Sequence, residues 1–208
     1  MCVGMLLRLL PIFAVLALAP VAYVLAADSG EIRVQIVDER GMPVRDAVVE
    51  MAHDQAHRGT IRFPWRMAIA QRNEAFVPDT LVIARGSTVA FPNLDRVRHS
   101  IYSFSKPARF EIELYGRDQT RSHTFPLTGT VALGCNIHDN MRGYLRVVDT
   151  PFAGKTDANG YVTLDGLPTG NISATIWHPD LRAPNNEKTG SIPVKAGQNA
   201  RRIAVNLR

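Results

Sequence analysis

Apolar and polar residues alternate in short runs along most of the chain, with the two-residue period of half-buried β-strands. The alternation is clearest in Ile32-Val34-Ile36, Phe110-Ile112-Leu114, Val131-Leu133-Cys135, Ile172-Ala174-Ile176 and Ile203-Val205-Leu207. Gly and Pro residues separate these runs, and no long stretch of the sequence keeps the period of a helix. The pattern predicts an all-β protein built of sandwiched sheets.

The N-terminal segment does not follow this pattern. Arg8 is followed by an apolar run over residues 9–18, and small residues come a few positions later. This order is typical of a secretory signal peptide, so we expect residues 1–26 to be removed and the protein to be periplasmic. An uncleaved membrane anchor is the alternative, although the run is short for a membrane span, contains Pro11 and is soon followed by Pro20. After cleavage, we expect no stable insertion into a membrane.

Charge and length narrow the classes of function. The 208-residue chain carries a formal net charge of +5, and its basic residues are scattered rather than grouped in a Lys/Arg tract. Nucleic acid is therefore not an expected partner. An acidic protein partner is compatible with the mild positive charge, which does not by itself establish one. The length suffices for one good core or two small ones.

The two cysteines indicate a metal rather than a disulfide. Cys2 lies in the predicted signal peptide, so the exported protein would keep Cys135 alone. A single thiol in an oxidising compartment needs a chemical role, and metal ligation supplies one.

A set of candidate metal ligands surrounds this thiol. Cys135, His138 and Met141 offer a thiolate, an imidazole and a thioether in what we interpret as a loop after a strand. These donors suit copper better than magnesium or calcium, and two His with one Cys and a weak axial Met form the blue-copper arrangement. The second His must come from elsewhere, and His99 stands just past a predicted strand.

Two longer motifs carry a resemblance to a known family. They read Phe76-x-Pro-x3-Val82-x3-Gly-x2-Val-x-Phe91-x-Asn-x-Asp-x3-His99 and Gly129-x-Val-x-Leu-x-Cys135-x2-His138-x2-Met141. Residues 67–149 thereby resemble cupredoxins, the family of plastocyanin, pseudoazurin and amicyanin. The short Cys-x2-His-x2-Met spacing is similar to amicyanin. The segments Tyr102-Ser-Phe-Ser and Gly134-Cys-Asn-Ile-His-Asp are similar to plastocyanin-like proteins labelled methylamine-utilisation proteins.

The resemblance implies a Greek-key β-sandwich that holds one type 1 copper ion. The implied ligands are His99, Cys135, His138 and Met141. The chain departs from many cupredoxins at Val131, where they have an aromatic residue, and at Ser100, where Asn follows the first His. The residue after that His often tunes the thiolate by hydrogen bonding, so this departure bears on the redox potential.

The flanks resemble a second kind of sandwich. The phrase Gly41-x-Pro-Val-x-Asp-Ala-Val-Val resembles the start of a carboxypeptidase-regulatory or transthyretin-like β-sandwich. Its usual continuation stands about a hundred residues later, as Thr156-Asp-Ala-Asn-Gly-Tyr and Leu167-Pro-Thr-Gly. We therefore predict a cupredoxin Greek-key β-sandwich inserted in a second small β-sandwich. Extra strands on one larger sandwich are the alternative.

This interpretation divides the chain into four parts. They are the signal peptide, residues 1–26; the first part of the flanking sandwich and a linker, residues 27–66; the cupredoxin domain, residues 67–150; and the second part of the flanking sandwich, residues 151–208.

The expected function is that of a monomeric periplasmic electron carrier for a redox protein partner. A copper-binding or delivery protein without a carrier role is the alternative, and a metal-free sandwich is another. Enzymatic activity is not expected, because multicopper oxidases need His-x-His pairs and none of the six histidines forms one.

Overall fold

The protein is described by a computed structural model over residues 29–52 and 59–208. The predicted signal peptide, residues 1–26 with Cys2, lies outside the described residues. Within the described ranges the chain forms sixteen strands and one short 3₁₀-helix. The strands are β1 (Ser29–Asp38), β2 (Val48–Ala52), β3 (Ala70–Arg72), β4 (Ala75–Val77), β5 (Thr80–Ala84), β6 (Ser87–Pro92), β7 (His99–Ser105), β8 (Ala108–Tyr115), β9 (Thr120–Phe125), β10 (Gly129–Cys135), β11 (His138–Val148), β12 (Ala153–Lys155), β13 (Tyr161–Pro168), β14 (Gly170–Trp177), β15 (Glu187–Val194) and β16 (Gly197–Val205), with the 3₁₀-helix at Pro184–Asn186.

The middle of the chain forms an inner sandwich from β3 to β11. One layer is a five-stranded sheet in the order β5-β11-β10-β7-β8. The other layer pairs β3 with β4 and β6 with β9, and parallel bridges from Ala68 to Ala90 and from Gln71 to Asn93 join the two pairs. Alternate side chains of both layers fill one apolar core, which contains Ile69, Phe91, Ile101, Phe125, Val131 and Leu145. The inward positions of the alternating runs thus supply the core.

The described segments on either side of the inner unit form an outer sandwich. Its sheets have the strand orders β13-β1-β16 and β12-β2-β14-β15, so β1 and β2 pair with strands that follow the inner unit. A second apolar core lies between these sheets, with members that include Ile32, Val34, Ile36, Val49, Met51, Ile172 and Ile176. In this all-β fold the described strands of the inner unit are therefore set into a loop of the outer one. The likeness of the outer unit to transthyretin-like sandwiches, and the domain limits given above, stay predictions.

A buried arginine joins the two sandwiches. Arg146 of β11 donates to Glu50 of β2 and, at 2.6 Å, to Glu187 of β15, while Thr130 accepts a further bond at 3.0 Å. Burial by itself would lower the pKa of Arg146, but the two carboxylates outweigh it and hold that pKa above its ordinary value. Burial also raises the pKa of Glu50, which Arg146 opposes. The two sandwiches are therefore joined by a charged contact in which Arg146 and its carboxylate partners shift one another's pKa.

An apolar cluster extends this contact. It combines Val82 and Val148 of the inner unit with Val48, Ala153 and Trp177 of the outer unit. Tyr144 packs against Trp177 with ring centroids 5.4 Å apart. No helix within the described residues is long and apolar enough to cross a membrane.

Candidate metal centre

Cys135 and His138 face each other across a tight hairpin. Cys135 ends β10 and pairs with His138, the first residue of β11, across a turn formed by residues 136–137. The next pair in the ladder is Gly134 with Arg142, so residues 139–141 form a β-bulge. The sequence predicted a longer loop after Cys135. The structure instead continues the strand through His138, because a bulge absorbs the extra residues without ending the ladder.

His99 reaches the same place from a neighbouring strand. The sequence placed His99 just past a strand, whereas the structure makes it the first residue of β7. β7 runs antiparallel to β10 with Tyr102 opposite Gly134, so the start of β7 lies beside the end of β10. Residues that are far apart in the sequence therefore meet at one end of the five-stranded sheet.

Three potential ligand atoms converge there. Cys135 Sγ lies 3.8 Å from His99 Nδ1 and 3.8 Å from His138 Nδ1, and all three atoms lie within 4.8 Å of one another. Two ligands at about 2.0 Å (N) and 2.3 Å (S) from one ion would be about 3.7 Å apart in a trigonal plane. The spacing therefore fits a single metal ion.

The chemistry of the donors favours copper. A thiolate and two imidazoles form the trigonal part of a blue-copper site, and a thioether is the soft axial ligand that copper accepts. Met141 is buried in the same apolar cluster as Cys135, within the β11 bulge. The structure brings together His99, Cys135 and His138. The role of Met141 as the fourth ligand stays a prediction.

The two imidazoles differ in how far they are buried. His99 has no exposed surface and Cys135 is 3% exposed, whereas His138 is partly exposed. The ring centroids of the two histidines lie 4.8 Å apart. Of these three side chains, His138 is the one that offers an edge to the surroundings.

Asp95, to which the sequence assigned no role, contacts the ring nitrogen of His99 that does not face Cys135. Asp95 Oδ2 lies 2.7 Å from His99 Nε2, which leaves Nδ1 directed towards Cys135. The backbone N–H groups of Asn73 and Glu74, in the turn between β3 and β4, also donate to Asp95. Burial would raise the pKa of Asp95, but the bonds from Glu74, His99 and Asn73 outweigh it and hold that pKa below its ordinary value. The spacing Asp-x3-His was visible in the motif, but the fold was needed to show this contact.

Asn93 shapes the loop that carries Asp95. Its side-chain amide donates to the carbonyls of Val97 and Tyr115, at 2.9 and 3.0 Å, and its side-chain oxygen accepts from the Asp95 N–H at 2.9 Å. Asn93 is fully buried, so these bonds satisfy an amide that would otherwise be costly to bury. These bonds hold the loop that carries Asp95 in one arrangement.

Exposed apolar side chains surround this end of the sheet. Leu94 and Val97 lie in the loop before His99, and Ile137 lies in the turn before His138; these side chains are 42%, 41% and 51% exposed. Arg96, Arg98 and Arg142 are exposed beside them. The residues near the cluster therefore include exposed apolar side chains and charges of both signs, since Asp139, next to His138, is exposed as well.

The chain has solved structural neighbours, but no model of a known protein family and no curated protein matches it. A copper-containing nitrite reductase from Thermus scotoductus SA-01 is 25% identical over 46% of this chain and 25% of its own, with a TM-score of 0.39. A reduced amicyanin variant is 18% identical over 48% of this chain and 98% of its own, with a TM-score of 0.38. A purple cupredoxin from Nitrosopumilus maritimus is 24% identical over 39% of this chain and 96% of its own, with a TM-score of 0.35.

The inner unit is a two-layered β-sandwich with the features that the resemblance to cupredoxins implied. Its two layers, its single apolar core and its His-Cys-His cluster at one end of the five-stranded sheet carry this statement. The residues that form the cluster are able to bind a metal ion, and their donors suit copper.

Proposed function

We propose that the protein is a monomeric periplasmic carrier of single electrons with one type 1 copper ion, held by His99, Cys135, His138 and Met141. The convergence of Cys135 Sγ with two Nδ1 atoms at 3.8 Å carries this proposal. Copper, when bound, supplies a centre that takes up and releases one electron. The protein supplies the donors and the rigid strands that hold them in one arrangement.

Each ligand has a distinct part in this proposal. Cys135 provides the thiolate and His99 a fully buried imidazole, which Asp95 keeps in one orientation. His138 provides the second imidazole, whose partly exposed edge is the approach for a redox partner. Met141 would provide a thioether, a weak and soft donor that adjusts the redox potential. With four protein donors no position is left for a substrate, so we propose that the protein is not an enzyme.

The surroundings of His138 support docking of another redox protein. Leu94, Val97 and Ile137 give exposed apolar surface, and Arg96, Arg98 and Arg142 are exposed near it together with the acidic Asp139. Transient redox encounters use small interfaces, and surface charges of one sign steer a partner of the opposite sign. We propose that the partner presents an acidic surface to this end of the molecule.

The proposal is tested with the mature protein loaded with copper. We expect an intense visible thiolate-to-copper band and narrow copper hyperfine splitting in the EPR spectrum. Cys135→Ser should remove the band because it removes the thiolate, and Ser103→Ala, at a buried position on β7, should keep it. A band that survives in Cys135→Ser would show that the ligands are wrongly assigned.

Two further measurements separate the carrier from its alternatives. A carrier keeps its copper through repeated reduction and oxidation, whereas a delivery protein loses copper readily to a chelator. Azide that binds the copper directly, or steady oxygen consumption by the purified protein, would contradict the carrier and favour an enzyme.

A further inference from the structure

Two cavities adjoin each other where the inner and outer sandwiches meet. The smaller one, of about 310 Å³, is apolar and is lined mainly by Trp65, Pro78, Leu81 and Val82. The larger one, of about 540 Å³, is more polar and lies beside β12 and β13. Trp65 and Lys155 line both cavities, so the two spaces meet at these side chains. An apolar pocket of this size with a few polar groups, at a boundary between two folded units, has the usual form of a small-molecule site.

Trp65 forms a fixed wall of the smaller cavity. Its indole N–H donates to the carbonyl of Val82 at 2.8 Å, and the ring of Phe63 stacks on it with centroids 4.7 Å apart and planes 7° apart. Trp65 is partly buried and packs against the apolar cluster that joins the two sandwiches. The ring is therefore held in one position, and the surface that Phe63 leaves open lines the cavities.

Two cations line the larger cavity. Arg33 lies over the ring of Tyr161, 4.1 Å from its centroid. This contact uses the flat face of the guanidinium, so the N–H donors in its plane are left for other partners. Lys155 binds Asp46 at 2.6 Å, but an ammonium group has three donors. Both cations therefore have donors to offer to a negatively charged group.

The acidic groups near the larger cavity do not cancel this charge. Asp157 lines the cavity, but its Oδ1 accepts the backbone N–H groups of Asn159 and Tyr161, at 2.8 and 2.9 Å, so this oxygen is directed into its own turn. Asp46 offsets part of the charge of Lys155, so Arg33 supplies most of the positive excess. The larger cavity therefore favours an anion, whereas the smaller cavity favours an apolar group.

We propose that this junction binds an amphipathic organic anion, with its apolar body against Trp65 in the smaller cavity and its acidic group at Arg33 and Lys155 in the larger one. Such a ligand contacts both sandwiches, because Leu81 and Val82 belong to the inner unit whereas Arg33 and Lys155 belong to the outer one. The lining of the two cavities includes none of the proposed copper ligands, so this site is separate from the metal centre.

The probe for this site is anilinonaphthalene sulfonate, a dye that joins an aromatic body to one anionic group and whose fluorescence rises in apolar surroundings. We expect the purified mature protein to bind the dye at a single saturable site. Arg33→Gln should raise the Kd by about tenfold, which is the effect of losing one charge-assisted hydrogen bond. Arg33 is exposed, so the substitution should leave the fold intact.

Arg117→Gln is the matched control. It removes the same charge from an exposed side chain in the turn between β8 and β9, which lines neither cavity. We expect its Kd for the dye to equal that of the unsubstituted protein. Equal values of Kd in Arg33→Gln and Arg117→Gln would overturn the proposal, because the anionic group would then not lie at Arg33.

A second dye separates the two halves of the site. Phenylnaphthylamine has the same rings without the sulfonate, so Arg33→Gln should leave its Kd unchanged. Trp65→Leu, which removes most of the aromatic wall, should weaken the binding of both dyes. Absence of saturable binding of the anionic dye, or an equal loss of both dyes in Arg33→Gln, would overturn the proposal. The comparison of the two dyes in Arg33→Gln gives this result even where Trp65→Leu fails to fold.

Discussion

Asp95 and His99 are joined by a hydrogen bond of 2.7 Å between Oδ2 and Nε2, inside a loop that spans four residues along the chain. The carboxylate thereby determines which ring nitrogen of His99 carries the proton, and directs Nδ1 towards the thiol. Because the same carboxylate accepts backbone bonds from the turn between β3 and β4, the orientation of His99 is coupled to the packing of that turn.

We predict that Asp95→Ala lowers copper affinity by about 10- to 100-fold, because outer partners of a ligating His contribute on that scale. Affinity is measured by competition with a copper chelator. Asp118→Asn is the control, since Asp118 is an exposed carboxylate in the turn between β8 and β9. An affinity for Asp95→Ala equal to that of the control would mean that the contact does not orient the ligand.

Met141→Gln should keep copper bound but lower the midpoint potential. An amide oxygen is a harder donor than a thioether and favours Cu(II) over Cu(I). The midpoint is read by redox titration of the visible band. Met67→Gln is a comparison at a partly buried Met that packs against the inner core without belonging to the cluster. An unchanged midpoint in Met141→Gln would remove Met141 from the set of ligands.

Gly134 precedes the thiol and lies under the ring of Tyr102. A Cβ at this position would overlap that ring and come within 2.6 Å of its hydroxyl oxygen. We predict that Gly134→Ala lowers the free energy of unfolding by about 1–3 kcal/mol, as overpacking does. Denaturant unfolding measures it. Gly116→Ala, which meets no atom within 4 Å, should change it little, and adding Tyr102→Ala to Gly134→Ala should recover part of the loss.

Removing Arg146 should destabilise the whole protein. Arg146→Ala leaves Glu50 and Glu187 without their shared cation at the contact between the sandwiches, which costs about 3–5 kcal/mol for a buried pair. Arg85→Ala is the control, because Arg85 pairs with Asp149 at the surface and should cost at most about 1 kcal/mol. Denaturant unfolding compares the two. A loss in Arg146→Ala no greater than in the control would show that the contact contributes little.

Arg142→Glu should slow electron exchange with the proposed acidic partner and reverse the dependence of the rate on ionic strength. Arg142 is exposed near His138, so its charge acts on the approach of the partner rather than on the ligands. Stopped-flow measurements with a physiological electron donor at several salt concentrations check this. Arg201→Glu, on the outer sandwich, should leave the rate unchanged. The visible spectrum should be the same in both variants.

Much of the architecture follows from the sequence by itself. The two-residue period of runs such as Val131-Leu133-Cys135 determined which side chains enter a core, because a strand turns alternate residues to opposite faces. The spacing of Cys135 from His138 likewise placed both donors close together, although the sequence predicted a loop where the structure forms a two-residue hairpin turn. The nature of these donors also restricted the choice of metal.

Only the tertiary structure decided what faces these residues. Periodicity specifies a face but not the strand opposite it, so the 3.8 Å contact between His99 and Cys135 depended on the pairing of β7 with β10. The same holds for Ser100, which the sequence marked as a departure and whose Oγ the fold places 3.0 Å from the backbone nitrogen of Asn136. Arg146 is the clearest case. The sequence shows only a cation on a strand with apolar neighbours, and its partners Glu50 and Glu187 come from the other sandwich. Contacts of this range depend on how sheets stack, which local patterns do not encode.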